Sequence, residues 1–216
     1  MAQEEQVLVV ERKVLEQTGI FQGLAFDVAQ YLAKLFAPGV PRFMPRSRAE
    51  ADPAYKQLIP YVIIACDGKY LSYVRGRRAG EPRLVGLRSI GIGGHINLAD
   101  DLPLFSSDFS EAYLAAVERE VAEEVSVEVG HTDRVVALLN DDSTPVGQVH
   151  LGIVHHWILQ APKVSKREQM ITQMAFMGPT ELHQVRDTME TWSQLCLDHL
   201  AEMTKPVEPR ITASPV

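Results

Sequence analysis

The sequence predicts an α+β fold, and three observations carry that expectation. Tyr61 to Cys66 (YVIIAC) and Lys69 to Val74 (KYLSYV) flank Asp67-Gly68, the residue pair that a two-residue hairpin turn requires. Ser110 to Val125 sets Leu114, Val117, Val121 and Val125 one turn apart, with Ser110 as N-cap, which is a helical pattern. Arg134 to Leu139 and Val149 to Leu159 are strand-like runs separated by the polar loop Asn140 to Gly147. The 216 residues, 46% hydrophobic and 23% charged, suffice for a sizeable core and for no more than one or two domains.

The remaining elements follow in chain order. VLVV at 7–10 is a short strand, and Phe21 to Phe36 is a helix with Leu24, Val28, Tyr31, Leu32 and Leu35 at helical spacing, ended by Pro38-Gly39. Pro38 to Pro53, rich in Pro and Arg, is expected to be a surface loop. Arg83 to Ile92 is a further β-prone run that ends in Gly91-Ile92-Gly93-Gly94, and Asn97 to Ser110 is a loop. Met174 to Met177 is a short strand, and one helix runs from about Leu182 to about Met203. The organisation expected is an N-terminal strand-helix extension and loop at 1–57, a main domain at 58–203 and a mobile tail at 204–216.

The charge balance narrows the partners. Lys and Arg total 21 against 28 Asp and Glu, a net −7, which disfavours a nucleic acid polymer or an anionic membrane. No apolar run approaches the roughly 20 residues that cross a bilayer. The acidic start has no signal-peptide pattern, so the cytoplasm is the expected location. Cys66 and Cys196, each in an apolar segment, are expected to be buried free thiols. They supply neither a disulfide framework nor a zinc site of cysteine ligands.

The chemistry concentrates in Glu118-Arg119-Glu120-Val121-Ala122-Glu123-Glu124-Val125. At about 100° per residue from Glu120, Glu124 falls near +40° and Glu123 near −60°, beside the apolar stripe, whereas Glu118 falls on its far side. Like charges at i and i+4 repel, and a divalent cation reverses that cost. Hard carboxylate oxygens suit Mg²⁺ or Mn²⁺, which also hold phosphate oxygens and orient an attacking water. A solvated acidic face is the plainer alternative on charge counting alone.

Arg119-Glu120-Val121-x-Glu123-Glu124 resembles, residue for residue, the Arg-Glu-aliphatic-x-Glu-Glu core of the Nudix hydrolase box, and a strand-end Gly-Gly pair precedes it. The resemblance extends, more weakly, over about residues 58–203. It implies an α/β/α sandwich around a mixed sheet. It also implies metal binding by Glu120, Glu123 and Glu124 with the Gly93 carbonyl, an ion pair from Arg119 that orients a glutamate, and a supporting role for Glu111. Two features depart from the box. Sixteen residues separate Gly94 from Glu111 where the family pattern has five, an insertion of 11, and Ser126 replaces the late glycine. In a left-handed helix end, Ser126 would cost about 1 kcal/mol. Nudix domains often pair, so a homodimer is also implied, with the N-terminal strand as a contributor.

Other residues are candidates on position. His95 follows the glycines and could donate to a phosphate or a substrate hydroxyl. Asp141 and Asp142 occupy a loop where the family often places a further metal ligand or a base. Arg88 leads into the glycines, and Arg75, Arg77, Arg78 and Arg83 flank the loop after the hairpin, where they could hold a diphosphate. His150, His155 and His156 lack a ligand spacing, because His155 and His156 point to opposite faces of a strand. Trp157 and Trp192 fit core or interface better than a base platform. Cys66 has no neighbouring base and is disfavoured as a nucleophile.

The expected activity is metal-dependent hydrolysis of a phosphoanhydride in a nucleoside-diphosphate-linked or related diphosphate compound. One of the three glutamates, or Asp141 or Asp142, would be the base. The alternative is a catalytically silent Nudix-fold module that binds a nucleotide or regulates a partner, motivated by the disrupted glycine spacing. A non-hydrolytic enzyme such as an isomerase ranks third, because neither cysteine lies in a polar, glycine-rich context.

Overall fold

The computed structural model describes residues 4–76, 82–98, 109–167 and 171–205. Arg77, Arg78, most of the 95–110 insertion and the tail beyond 205 lie outside the described residues. The hairpin forms as expected, with β4 (Tyr55–Cys66) antiparallel to β5 (Lys69–Arg75). Asp67 and Gly68 take positive φ of 50° and 72°, the left-handed pair of a type I′ turn.

Strand β4 is the spine of a ten-stranded sheet. Along one edge it pairs in turn with β1 (Gln6–Glu11), β7 (Gly91–Gly93) and β5; along the other it runs parallel to β10 (His150–Leu159). Beyond β10 lie β9 (His131–Asn140) and β2 (Gly23–Ala25). The sheet is therefore mixed. Strand β3 (Arg42–Pro45) extends it from β1, and β6 (Arg88–Ser89) and β12 (Ile171–Met177) extend it from β5.

Helices cover both faces, because alternate residues of β4 and β10 are apolar on both sides. On one face α1 (Arg12–Gly19), α2 (Val28–Leu35) and α4 (Phe109–Glu124) bury Leu15, Tyr31, Leu35, Tyr113, Val117 and Val121 against Val62, Ile64, Ile153 and Trp157. On the other α6 (Pro179–Gln184), α7 (Thr191–Asp198) and α8 (Leu200–Met203) bury Leu182, Cys196, Leu197, Leu200 and Met203 against Ile63, Ala65 and Val154. Both cysteines are buried free thiols.

Several expectations are corrected. The helix expected at 21–36 begins only at Val28, because Gly23–Ala25 pairs with β9 as an edge strand, while the helix α1 was not foreseen. The loop expected at 38–53 contains β3 and α3 (Arg46–Ala51), since Phe43 and Met44 pair with β1 and its partner strand overrides local composition. The run 83–92 splits into a 3-10 turn, β6 and β7. The long C-terminal helix is three short ones, broken at extended Met189 and Glu190. The polar loop after β9 holds α5 (Pro145–Gln148), capped by Thr144. Leu114, placed on the apolar stripe, is 53% exposed. Helix α4 runs straight into β8 (Val125–Val127), which pairs with β11 (Val164–Lys166), so Ser126 sits in a strand and needs no left-handed conformation.

Candidate active site at the end of β7

Helix α4 passes beside the end of β7 and brings Glu120 to the glycines. A Cβ built on Gly94 would lie 2.0 Å from Glu120 Oε2, so the carboxylate occupies the space a side chain there would need. At Gly93 a Cβ would lie 2.5 Å from the Pro60 carbonyl oxygen. Gly93 demands glycine because the clash is with backbone, whereas a side chain at Gly94 would instead displace the Glu120 carboxylate. Arg119 fixes the junction. Its Nη1 donates to Glu120 Oε1 (2.8 Å) and Glu123 Oε1 (3.1 Å), and its Nη2 to the His95 carbonyl (2.9 Å).

The three glutamates differ in surroundings. The side chains of Glu120 and Glu124 are 13% and 16% exposed, and that of Glu123 is 54% exposed, so the wheel's single patch resolves into two inward carboxylates and one outward. Glu124 faces Arg75, whose Nη1 is 3.9 Å away. Among the described residues no three His, Cys, Asp or Glu side chains converge as a ready-made cation site. The donor chemistry is still that of a hard cation, with two oxygen-bearing side chains beside a strand-end carbonyl. In this arrangement their charge is balanced by arginines. Glu111 is exposed in the first turn of α4.

Next to the glycines opens a cleft of about 430 Å³. Arg75, Arg83 and Arg46 supply its positive charge, Asp141 and Glu190 its negative charge, and Tyr61, Leu84, Leu87, Met189 and Trp192 an apolar wall. Trp192 meets Tyr61 edge to face at 5.5 Å. Glu190, which sequence reasoning missed, is buried and heavily bonded. It accepts from Arg75 Nε (2.9 Å), Ser89 Oγ (2.6 Å) and Tyr61 Oη (3.2 Å). Partners drawn from three distant segments leave no local signature, which is why it was not foreseen.

The two loop aspartates separate. Asp141 lines the cleft, and its Oδ1 accepts from Gln22 Nε2 (2.7 Å) and Ser143 Oγ (2.6 Å). Asp142 turns away to Lys56 Nζ (2.7 Å) and Arg12. Burial raises its carboxyl, but the bonds from Arg12 and Lys56 more than offset this and hold it below the usual range. Asp142 is thus held in ion pairs with Lys56 and Arg12 and does not line the cleft. Arg88 also departs from its expected place, because its guanidinium reaches Ser72 (3.1 Å) and Gln173 (3.2 Å) and does not line the cleft.

His95 lines the cleft with His150. His150 Nδ1–H donates to the Val146 carbonyl (2.7 Å), so its Nε2 can accept from His95 Nε2 across 3.4 Å. Burial first, then Arg46, His150 and Arg119, push His95 down to about 3. A histidine held neutral in the fold and protonated in the open chain removes stability as pH falls below its unfolded value near 6.5. Urea unfolding of wild type and His95→Asn from pH 7 to pH 4 should show the wild type losing more stability, by up to ~1.4 kcal/mol per pH unit. Parallel curves would contradict this. The other two histidines leave the site: His155 bonds Asp133 (2.9 Å) and Tyr113, and His156 stacks on Tyr70. Trp157 stacks on His131 at 3.8 Å. Burial raises the Cys66 thiol, which weakens it further as a nucleophile.

The crystal structure of Tm1382, described as a candidate Nudix hydrolase, superposes with a TM-score of 0.74 at 30% identity, over 91% of this chain and 98% of that one. This chain belongs to the Nudix hydrolase family. Protein YmaB of Bacillus subtilis (strain 168) is 31% identical over 207 residues, 91% of this chain and 98% of its own. The Nudix domain of Shewanella oneidensis NrtR, solved with ADP ribose, shares the fold at 16% identity and a TM-score of 0.52, over 75% of this chain and all of that one. No family model matches. The Nudix relationship to Tm1382 extends beyond the expected 58–203, because coverage of 91% takes in part of the N-terminal elements that join the sheet. Among the described residues no helix is long and apolar enough to cross a membrane.

Proposed function

We propose that this Nudix protein hydrolyses a phosphoanhydride in a nucleoside-diphosphate-linked or related diphosphate compound, with Mg²⁺ or Mn²⁺ as cofactor. The observation that carries the reading is the Glu120 carboxylate seated against Gly94 at the edge of an arginine-lined cleft. Glu120, Glu124 and, after leaving Arg119, Glu123 would hold the cation with the Gly93 carbonyl. The cation, when bound, polarises the phosphoryl group and lowers the pKa of a water.

The chain's own residues supply the rest. Arg75 and Arg83 meet phosphate oxygens, and the Tyr61–Trp192 wall offers a face to an apolar or aromatic leaving group. The water oxygen bonds to phosphorus, the bridging P–O bond breaks, and the departing phosphate takes the electron pair. The water proton goes to a carboxylate. Asp141, in the cleft, fits that role better than Asp142, which Lys56 and Arg12 hold.

The test is hydrolysis of a panel of ADP-ribose, nucleotide sugars, dinucleoside polyphosphates and NTPs with Mg²⁺ or Mn²⁺, in wild type and Glu124→Gln. ADP-ribose comes first because the Shewanella oneidensis NrtR domain is complexed with it. Full activity in Glu124→Gln would refute the roles assigned. The arginine pairing of the glutamates favours one second reading, a module that binds such a compound without turnover. Calorimetry separates the two, since that module gives saturable binding and no product.

A further inference from the structure

The carboxylate of Glu190 is used away from its own helix. Glu190 is the N-cap residue of α7, where a side-chain oxygen ordinarily accepts from the open N–H groups of the first turn, yet its side chain makes no such bond. Its backbone is extended (φ −65°, ψ 152°), and its N–H donates to the Arg88 carbonyl (3.0 Å). That geometry carries the side chain into the cleft wall instead.

There both carboxylate oxygens are fixed. Oε1 accepts from Ser89 Oγ (2.6 Å) and Tyr61 Oη (3.2 Å), and Oε2 accepts from Arg75 Nε (2.9 Å), with Arg75 Nη2 3.5 Å from Oε1. The Glu190 side chain is 6% exposed, so water competes little for the pair. The same contacts hold one edge of the Arg75 guanidinium, whose carbon lies over the Tyr73 ring, 5.6 Å from its centre. The Arg75 backbone is tied as well, its N–H to the Leu87 carbonyl (3.0 Å) and its carbonyl to Gly86 N (2.8 Å). Nη1, 3.9 Å from Glu124 Oε1, takes no part in the Glu190 pair.

We propose that Glu190 is a positioning residue for substrate binding: it holds Arg75 along the Nε–Nη2 edge so that the rest of the guanidinium is already aimed when a phosphate oxygen of the substrate enters the cleft. A planar guanidinium can serve a carboxylate on one edge and a phosphate on another, which an ammonium cannot do with the same geometry. A long side chain ordered only on binding subtracts that cost from affinity, whereas one ordered beforehand does not. The inference rests on the diphosphate reading above, in which Arg75 meets phosphate oxygens, and adds that Glu190 acts through Arg75 and on binding rather than on the chemical step.

The test joins two measurements on the full chain. Calorimetry in EDTA, where metal-dependent turnover stops, gives the affinity for ADP-ribose and for inorganic pyrophosphate, and steady-state kinetics with Mg²⁺ gives kcat and KM on the panel compound that is hydrolysed. Glu190→Gln is expected to weaken binding and raise KM about tenfold, near the upper end of what ordering one long side chain in advance contributes, with kcat changed less than roughly twofold. Arg75→Met should show at least the same loss, and Glu190→Gln added to it should cost nothing further, because no guanidinium is then left to aim. Ser89→Ala, which loosens the carboxylate without removing a charge, should raise KM less and in the same direction, and it carries the test if Glu190→Gln does not fold. Wild-type affinity and KM in these variants, a loss confined to kcat, or losses that multiply in the double variant would overturn the proposal and leave the hydrolase reading intact. A wild type that binds neither probe and turns over no panel compound would overturn both.

Discussion

Glu120→Gln is expected to lower kcat by about 100-fold or more on whichever panel compound is hydrolysed, with the fold intact. The estimate follows from the several kcal/mol that a bound cation contributes to transition-state charge stabilisation. The substitution keeps volume and removes the charge that Arg119 orients at 2.8 Å. Gly94→Ala is the companion change, since its methyl would demand the space of the same carboxylate, 2.0 Å away. It should cost a comparable factor without touching any acidic group. Glu123→Gln should cost less, because that side chain is 54% exposed. Steady-state kinetics with circular dichroism as a fold check decides the matter. Wild-type turnover in Glu120→Gln would remove the residue from the chemistry.

Asp142→Asn is expected to destabilise the protein by about 3–5 kcal/mol, the usual cost of stranding a buried charge. Lys56 has no exposed surface, and its ammonium donates to Asp142 (2.7 Å), the Gly147 carbonyl (2.8 Å) and the His150 carbonyl (3.2 Å). Burial lowers its pKa against the pull of Asp142, so removing that carboxylate leaves the cation with two carbonyls. The pair ties Arg12 of α1 and β4 to the loop that carries Asp141, and activity should fall with stability. The sign with pH follows from the lowered Asp142 carboxyl. Its contribution is complete above the unfolded value near pH 4 and is lost as pH falls through the lower folded one. Urea titrations of wild type and variant should therefore converge in acid. A double variant, Lys56→Met with Asp142→Asn, should recover part of the loss.

The parts of the fold that were legible in sequence are those whose signal is local. The Asp67-Gly68 turn, the α4 periodicity and the strands after it needed no partner to be recognised. Residues 12–53 depart from the expectation where a partner decides, as at Phe43 and Met44, which form a strand through β1. The final helix was drawn too long because apolar spacing continues through Met189 and Glu190, while the backbone there is extended to deliver Glu190 to Ser89 and Tyr61. The site divides in the same way. Arg119, Glu120 and Glu124 are one turn of one helix and could be read off. Arg46, Tyr61, Glu190 and the separate fates of Asp141 and Asp142 depend on segments far apart in the chain.

Strand β4 is paired along one edge with β1, β7 and β5 in succession and along the other with β10 from Gln57 to Ala65. Lys56, which anchors Asp142, and Tyr61, which faces the glycines and Glu190, lie on that one ruler. Because side chains alternate with a period of two, adding or deleting a single residue between them would turn one of the pair to the wrong face. Homologous chains should therefore vary in this stretch by exchange of residues while its length stays constant.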